Sequence, residues 1–337
     1  MNFCKNTIGT NALKLPSLGF GAAALGGLFS HVDNKTAKST LTHALELGLT
    51  YVDTAPYYGL GRSERVVGDV LCKKQYILST KVGRLLKPGA MQDSAAIGWP
   101  DALPFHPVFD YTYDGIMRSF EDSQQRLGRD KIDILYVHDI AEETHTQEFS
   151  KYFSQLRNGG MKALEQLKKS GNIKAFGIGV NQVRACYQAL EIGEWDLFLL
   201  AGRYTLLEQN PLDGLFTQCM ATNTSIVIGG PYNSGILVGG KTWNYGSAPK
   251  QIIEQVKALN AVCVEFNVPL PAAALQFPLA HPVVASVIPG LRSVEELYQT
   301  LNWAQVNIPI EFWQMLKDKK LINARAPTPT TNPFFTS

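Results

Sequence analysis

The chain has 337 residues, 45% of them hydrophobic and 18% charged, enough for one large core and for a single domain of α/β-barrel size. Its formal net charge of +2 is spread without a run of like charge, which excludes a nucleic-acid footprint and a polybasic membrane anchor and leaves a small molecule as the expected partner. The five cysteines, Cys4, Cys72, Cys186, Cys219 and Cys263, form no CxxC pair and no zinc-like spacing, so they read as reduced thiols.

The amino-terminal stretch MNFCKNTIGTNALKLP has no apolar core for a signal peptide, and no apolar stretch elsewhere approaches the roughly 18 residues of a membrane span. A soluble, cytoplasmic protein is the expectation. Further along, short β-branched or aromatic runs alternate with amphipathic segments, as repeated β/α units require. The strand candidates are LGFG (18–21), YVDTA (51–55), YILSTKV (76–82), IDILYVH (132–138), AFGIGV (175–180), DLFLLAG (196–202), SIVIG (225–229) and ASVIPG (285–290). Between them, the segment after Ser63 sets Val66, Val67, Val70 and Leu71 on one helical stripe, and the segment after Asp114 does the same with Ile116, Met117, Phe120 and Leu127. The fold class expected is α/β, a (β/α)8 TIM barrel over residues 1–326, with IPIEFWQMLKDKKL as an extra helix and a loose Pro/Thr-rich tail over 327–337.

Three connections are too long for simple turns: about Gly83 to Tyr113, Ile140 to Gly159 and Pro231 to Pro249. All follow strand ends, where a parallel barrel keeps its active site. They hold Trp99, Phe105, Phe109, Tyr111, Tyr232, Trp243 and Tyr245, whose flat faces suit a sugar ring or a planar heterocycle or else pack as hydrophobic clusters under the loops. Tyr57, Trp99, Phe109 and Trp243 are the candidate substrate-wall residues.

Ionisable residues sit at the ends of successive strand-like runs: Asp53 and Tyr58 in YVDTAPYYG, Lys81 in YILSTKVG and His138 in IDILYVHD. A phenol titrates near 10, and a lysine ammonium within a few ångströms lowers that value, so Lys81 is expected to tune Tyr58 as a proton-transfer group. A charged lysine at a barrel mouth needs a counter-charge, which Asp53 on the neighbouring strand supplies. His138 would hydrogen-bond the reacting oxygen. Any one of these residues alone is more often structural; their combination at consecutive strand ends carries the reading.

VDTAPYYG with GRSERVVG, then STKVG and LYVHD, resemble the aldo-keto reductases over nearly the whole chain. The resemblance maps the family's catalytic tetrad onto Asp53, Tyr58, Lys81 and His138 and implies a nicotinamide cofactor, hydride transfer at its C4 and no metal. It also implies that Gly21 and Ala22 approach the nicotinamide, that Asn181 in GIGVNQ holds its carboxamide, and that GGPYNSGIL (Gly230, Pro231, Asn233, Gly235) and IPGLRSVEEL (Gly290, Arg292, Ser293, Glu296) bind the rest of the cofactor. FDYTYDGIMRSFEDSQQRLG, LAGRYTLL and AALQFPLAHP are similar to the branch of D-threo-aldose 1-dehydrogenases, L-fucose dehydrogenases and pyridoxal 4-dehydrogenases. Oxidation of an aldose of the L-fucose, D-arabinose or L-galactose type at C1 to the lactone is thereby implied, with pyridoxal oxidation or general aldehyde reduction as the alternatives. Two departures stand out: a glutamine common after the sixth strand has no counterpart in LLAGRYTLL, and a ring-stacking tyrosine is replaced by Gly229, which leaves the second face of the nicotinamide without an assigned partner. NADP-dependent relatives place cations where Gly290 and Glu296 stand, so NAD is the expected cofactor, with Arg292 as the argument for NADP.

Three other readings carry less. GFGAAA (19–24) fits a relaxed Rossmann fingerprint, but Gly26, Gly27 and Asp33 interrupt the helix it needs and Asp53 comes too late. A metal-dependent barrel finds no ligand-spaced histidines. A cofactor-sensing regulatory subunit would have no use for all four of Asp53, Tyr58, Lys81 and His138.

Overall fold

The computed structural model describes residues 1–9, 12–71 and 76–335. Its central feature is an eight-stranded parallel sheet in sequential order: β1 (Phe20–Gly21), β2 (Tyr51–Asp53), β3 (Ile77–Val82), β4 (Ile134–His138), β5 (Ala175–Val180), β6 (Leu197–Ala201), β7 (Ser225–Gly229) and β8 (Val284–Ile288). Bridges from Leu18 to Val287 and from Gly21 to Gly290 join the first and last strands, so the sheet closes on itself as a (β/α)8 barrel. The fifth and seventh strands match the expected bounds to the residue, and the others lie within two residues of them.

Strand alternation decides what reaches the inside. On β2, Tyr51 and Asp53 share a face; on β3, Ser79 and Lys81; on β4, Ile134, Tyr136 and His138. Tyr51, Ile134 and Tyr136 belong to the barrel-interior cluster with Leu197, Val227 and Ala285, while Val52, Leu78, Val82, Leu135 and Val137 face the helical layer. A short antiparallel hairpin, Lys5–Thr7 with Lys14–Pro16, brings Ile8 and Leu15 into the interior cluster. The helices α1 (Asn34–Glu46), α2 (Arg62–Leu71), α3 (Tyr113–Leu127) and α4 (Met161–Lys169) follow the first strands, and a helix over Val294–Ala304 follows β8. Val66, Val67 and Leu71 of α2 are buried as their spacing requires. Between α2 and α3, the fully buried Glu64 accepts from Thr80 Oγ1 of β3 (2.6 Å) and from Arg126 Nε of α3 (2.5 Å), so its charge is paired.

The long connections carry structure of their own. Residues 84–109 include an antiparallel ribbon, Arg84–Pro88 with Phe105–Phe109; the Ile140–Gly159 segment is mostly helical; and after β7 a short hairpin pairs Thr242–Trp243 with Gly246–Ser247. The extra helix forms over Ile310–Asp318. No single helix among the described residues is long and apolar enough to cross a membrane. Cys4, Cys186, Cys219 and Cys263 are free thiols; Cys72 lies outside the described residues.

The tail corrects an expectation. Residues 327–335 are docked: Phe334 is fully buried, its carbonyl accepts from Cys4 N (2.9 Å), Phe335 stacks on Phe3 (5.3 Å), and Asn332 Nδ2 donates to Ala304 O at the end of the last barrel helix (2.8 Å). Pro/Thr composition describes a chain without its own secondary structure, but two phenylalanines at its end suffice to anchor it. Phe334→Ala is therefore expected to cost about 3 kcal/mol, read as a lowered urea midpoint; a change below about 0.5 kcal/mol, typical of a surface substitution, would show the docked tail to be energetically idle.

Candidate active site

Asp53, Lys81, Tyr58 and His138 converge at the carboxyl end of the barrel. Lys81 Nζ donates to Asp53 Oδ2 (2.7 Å) and to the Thr54 carbonyl (2.9 Å), and Ser79 Oγ donates to Asp53 Oδ1 (2.7 Å). Asp53 and Lys81 are each 2% exposed, so this is a buried ion pair whose remaining polar valences are filled by hydrogen bonds. Ser79 spends its only hydrogen on Asp53, so it accepts from Tyr51 (3.1 Å), which in turn accepts from Tyr136 (3.1 Å). A directed chain of hydroxyls thus runs up the barrel axis and ends on the carboxylate. On the far side, Gly179 leaves space for the lysine stem: a Cβ there would stand 3.3 Å from Lys81 Cε.

Lys81 Nζ lies 4.7 Å from the centre of the Tyr58 ring. An ammonium has three donors and two are used, so one remains for the phenol side. Trp99 stacks on Tyr58 (5.8 Å), and the His138 ring meets Tyr58 and Tyr57 edge-on at 6.0 and 6.2 Å. Burial pushes the Tyr58 phenol well above its ordinary value, Asp53, Tyr245 and Asp139 push it further, and Arg84 pulls it down. This reverses the expectation of a phenol lowered by Lys81, because spacing along the chain shows the cation but not the loss of solvent. Burial, then the Arg84 and Lys81 cations, hold His138 well below the usual imidazole range, so its ring is neutral.

From this cluster a cavity of about 350 Å³ runs between β1 and β7 to the helix over Val294–Ala304. Gly21, Gly230, Pro231, Gly235, Gly290, Arg292 and Glu296 line it, with Asp53 and Tyr58 at one end. Four expected members do not: Ala22, Asn233, Ser293 and Asn181. Ala22 is fully buried, its N–H donating to Asp53 O (2.8 Å), and Ala23 and Ala24 line the cavity instead. Asn233 is buried with its Nδ2 on Gly202 O (3.2 Å), and Ser293 caps the helix by accepting from Glu296 N (3.2 Å). Asn181 reaches the cavity wall indirectly: its Nδ2 contacts the hydroxyl of Tyr245 (3.2 Å), and Tyr245 lines the cavity beside Gly229. Of the candidate substrate-wall residues, Tyr57 and Trp99 join the Tyr58–His138 end, whereas Phe109 packs into a cluster with Tyr111, His145 and Tyr152, and Trp243 packs against the hydrophobic core in the hairpin after β7.

Phe29, Thr300 and Trp303 also line the cavity. Thr300 and Trp303 follow Glu296 at helical spacing, a signal the sequence did contain; Phe29 has none, because its left-handed backbone (φ 63°) in the loop after β1 turns its ring towards Tyr245 (6.2 Å).

An elongated groove lined by glycine backbone, with a buried cluster of ionisable groups at one end and a capped helix amino terminus at the other, has a shape and chemistry that suit a dinucleotide. The comparisons with known proteins agree. A model of the aldo/keto reductase family matches residues 17–320. The chain belongs to that family. It is 42% identical over 335 residues to a pyridoxal 4-dehydrogenase of Microbacterium luteolum, covering 95% of this chain and 98% of the relative. To a D-threo-aldose 1-dehydrogenase of a Pseudomonas species it is 36% identical over 331 residues, covering 94% and 96%. The holo form of an aldo-keto reductase from Bacillus halodurans superposes with a TM-score of 0.72 at 26% identity, covering 96% and 98%. As an aldo/keto reductase the protein is an NAD(P)-dependent oxidoreductase acting on small carbonyl substrates or the corresponding alcohols.

His145 lies beneath the site, contacting Tyr111 Oη (3.0 Å) and lying 4.5 Å from the Phe109 ring; burial and Arg84 depress it to about 4. The unfolded chain then binds a proton that the folded chain refuses, so stability is fully present above about 6.5 and is lost as pH falls towards about 4. At about 1.4 kcal/mol per pH unit between the two values, the loss amounts to about 3 kcal/mol at most. Urea midpoints between neutral pH and pH 4 should fall less steeply for His145→Gln than for the wild type; parallel slopes would exclude His145 as the proton acceptor.

Proposed function

We propose that the protein oxidises the hydroxyl on the hemiacetal carbon of a cyclic substrate, giving a lactone, with NAD preferred to NADP. The arrangement of Asp53, Lys81, Tyr58 and His138 at one end of the groove carries the reading. An aldose at C1 is the first substrate class, in line with the D-threo-aldose 1-dehydrogenase relative; pyridoxal, which closes to a hemiacetal through its own hydroxymethyl group, is the second, in line with the relative at 42% identity. Both present the same reacting group.

A bound nicotinamide supplies the hydride acceptor at C4. Asn181 would hold its carboxamide, and backbone at Gly21, Gly230, Pro231, Gly235 and Gly290 would let the dinucleotide lie close. Tyr58 moves the proton: as phenolate it takes it from the substrate hydroxyl, and as phenol it returns it to a carbonyl. Lys81, held by Asp53, stabilises the phenolate when it forms. Neutral His138 donates to the substrate oxygen, and the Trp99 and Tyr57 rings keep water from it. Because burial holds the Tyr58 phenol above its ordinary value, its protonated form dominates at neutral pH, and oxidation is expected to quicken through the alkaline range while carbonyl reduction does not.

Tyr58→Phe keeps the ring and removes the proton carrier, so kcat should fall by roughly 10²-fold or more with cofactor binding retained. Reduced-nicotinamide absorbance over L-fucose, D-arabinose, L-galactose and pyridoxal reads the substrate class. A methyl glycoside, which has no hemiacetal hydroxyl, should be inert; its oxidation at a comparable rate would sink the lactone reading, and near-normal turnover in Tyr58→Phe would sink the tetrad.

Cofactor choice rests on Arg292 and Glu296. They pair with each other: Arg292 Nε lies 3.0 Å from Glu296 Oε1, and Arg292 N donates to Oε2 (2.9 Å). A 2′-phosphate would meet that carboxylate beside the guanidinium, whereas a 2′-hydroxyl can donate to it. Glu296→Arg is expected to raise kcat/KM with NADP relative to NAD by tenfold or more, about 1.4 kcal/mol of discrimination. A wild type that already prefers NADP, or an unmoved ratio in the variant, would reject this reading.

A further inference from the structure

Beside the Asp53–Lys81 pair lies a second buried ion pair with no part in the proton path above. β3 ends at Val82, Gly83 turns the chain in the left-handed region (φ 94°), and Arg84 follows, its side chain 7% exposed. The guanidinium lies 4.1 Å from the centre of the Tyr57 ring and 5.0 Å from that of Phe109, and one of its terminal nitrogens donates to Asp139 Oδ2. Asp139 follows His138 directly and has a left-handed backbone (φ 48°), which turns its carboxylate back beside the imidazole, with Oδ2 3.5 Å from His138 Nε2. At that separation a free carboxylate draws a proton onto an imidazole. The much closer contact, however, is with Arg84.

We infer that Arg84 is a positioning residue that keeps the Asp139 carboxylate off His138, so that the imidazole stays neutral and its Nε2–H is free for the substrate oxygen. The inference rests on the role given to His138 above. Of the cations facing the ring, Arg84 is the one that pairs with Asp139. Lys81 on β3 also opposes a proton on the ring but is paired with Asp53 of β2 (2.7 Å), Tyr57 and Tyr58 from the loop after β2 meet the ring in T-shaped contacts, and Tyr111 engages the His138 carbonyl (2.7 Å) and His145, not the His138 ring. No protein group pairs with His138 Nδ1, so Asp139 is the one carboxylate within reach of the ring among the described residues. The depressed titration of His138, to which Arg84 contributes, agrees.

Three variants test it: Arg84→Gln, which keeps a hydrogen-bond donor to Asp139 without the charge; Arg84→Lys, which restores the charge; and the double variant Arg84→Gln, Asp139→Asn, which removes both charges and places at 139 a residue that accepts the left-handed region. NMR titration of the imidazole follows His138 independently of turnover, and pH profiles of kcat/KM follow its consequence. In Arg84→Gln the His138 titration should rise towards neutrality, and kcat/KM should fall about tenfold or more at neutral pH and recover as pH rises. Arg84→Lys and the double variant should return both readouts most of the way to wild type. A wild-type His138 titration in Arg84→Gln, or a double variant no better than the single one, overturns the inference. If Arg84→Gln does not fold, the double variant decides: an imidazole titrating near neutrality there, with Asp139 gone, also overturns it. An inactive wild type, or a Tyr58→Phe enzyme as active as wild type, would instead count against the proposed function and leave the His138 titration to judge Arg84.

Discussion

A lysine and an aspartate buried together at the mouth of the barrel set the terms for everything around them. Burying two charges costs several kcal/mol per ion before attraction and hydrogen bonding return it. Three supports surround the pair here: Ser79 on one carboxylate oxygen, the Thr54 carbonyl on the ammonium, and the Tyr136–Tyr51–Ser79 chain of hydroxyls leading to it. Each comes from a barrel strand or its immediate end, and each depends on register. Asp53 pairs with Ser79 across β2 and β3, and Lys81 with Tyr136 across β3 and β4. A slip of one residue would turn every one of these side chains outward, so the closed sheet is the condition for the ion pair and the ion pair fixes the surroundings of Tyr58.

The strands and the tetrad were legible because both rest on local pattern. A β-branched run ending in a polar residue announces a strand end, and four such ends in order announce one pocket. What was not legible depends on bends and burial. The looseness expected of the tail fails because composition does not weigh two terminal phenylalanines against nine polar or proline positions. Ala22 was assigned to the cofactor on family position, yet its N–H is spent on Asp53 O, and the chain turns so that Ala23 and Ala24 face the cavity. Phe29 and Asp139 owe their directions to left-handed backbone at non-glycine residues, which no propensity scale marks.

The direction of the Tyr58 shift is the most instructive of these differences. A neighbouring lysine suggests a phenol poised as phenolate, but the same burial that makes the lysine effective also withdraws the solvent that a phenolate needs. The two carboxylates close enough to hold the cations, Asp53 and Asp139, add to the opposition. The site as it stands is charged and paired around a neutral phenol and a neutral imidazole. Such a site is at rest with its proton on Tyr58, and the arrival of positive charge is what shifts it. An oxidised nicotinamide carries that charge and a reduced one does not, so binding of the oxidised cofactor would itself favour the phenolate that oxidation requires.

The two ion pairs then divide the work by geometry. Asp53–Lys81 is fully enclosed and aimed at the phenol; Arg84–Asp139 is partly open, with Asp139 20% exposed, and is aimed at the imidazole. Each cation has a carboxylate of its own, so neither needs the substrate to balance it, and an uncharged substrate can enter without leaving a bare charge behind. An anionic substrate would meet a different balance, since its charge would compete with Asp53 or Asp139 for cations already taken, at the cost of uncovering a buried carboxylate. The paired electrostatics of the site therefore favour a neutral substrate over an anionic one before any contact with the aromatic walls is counted.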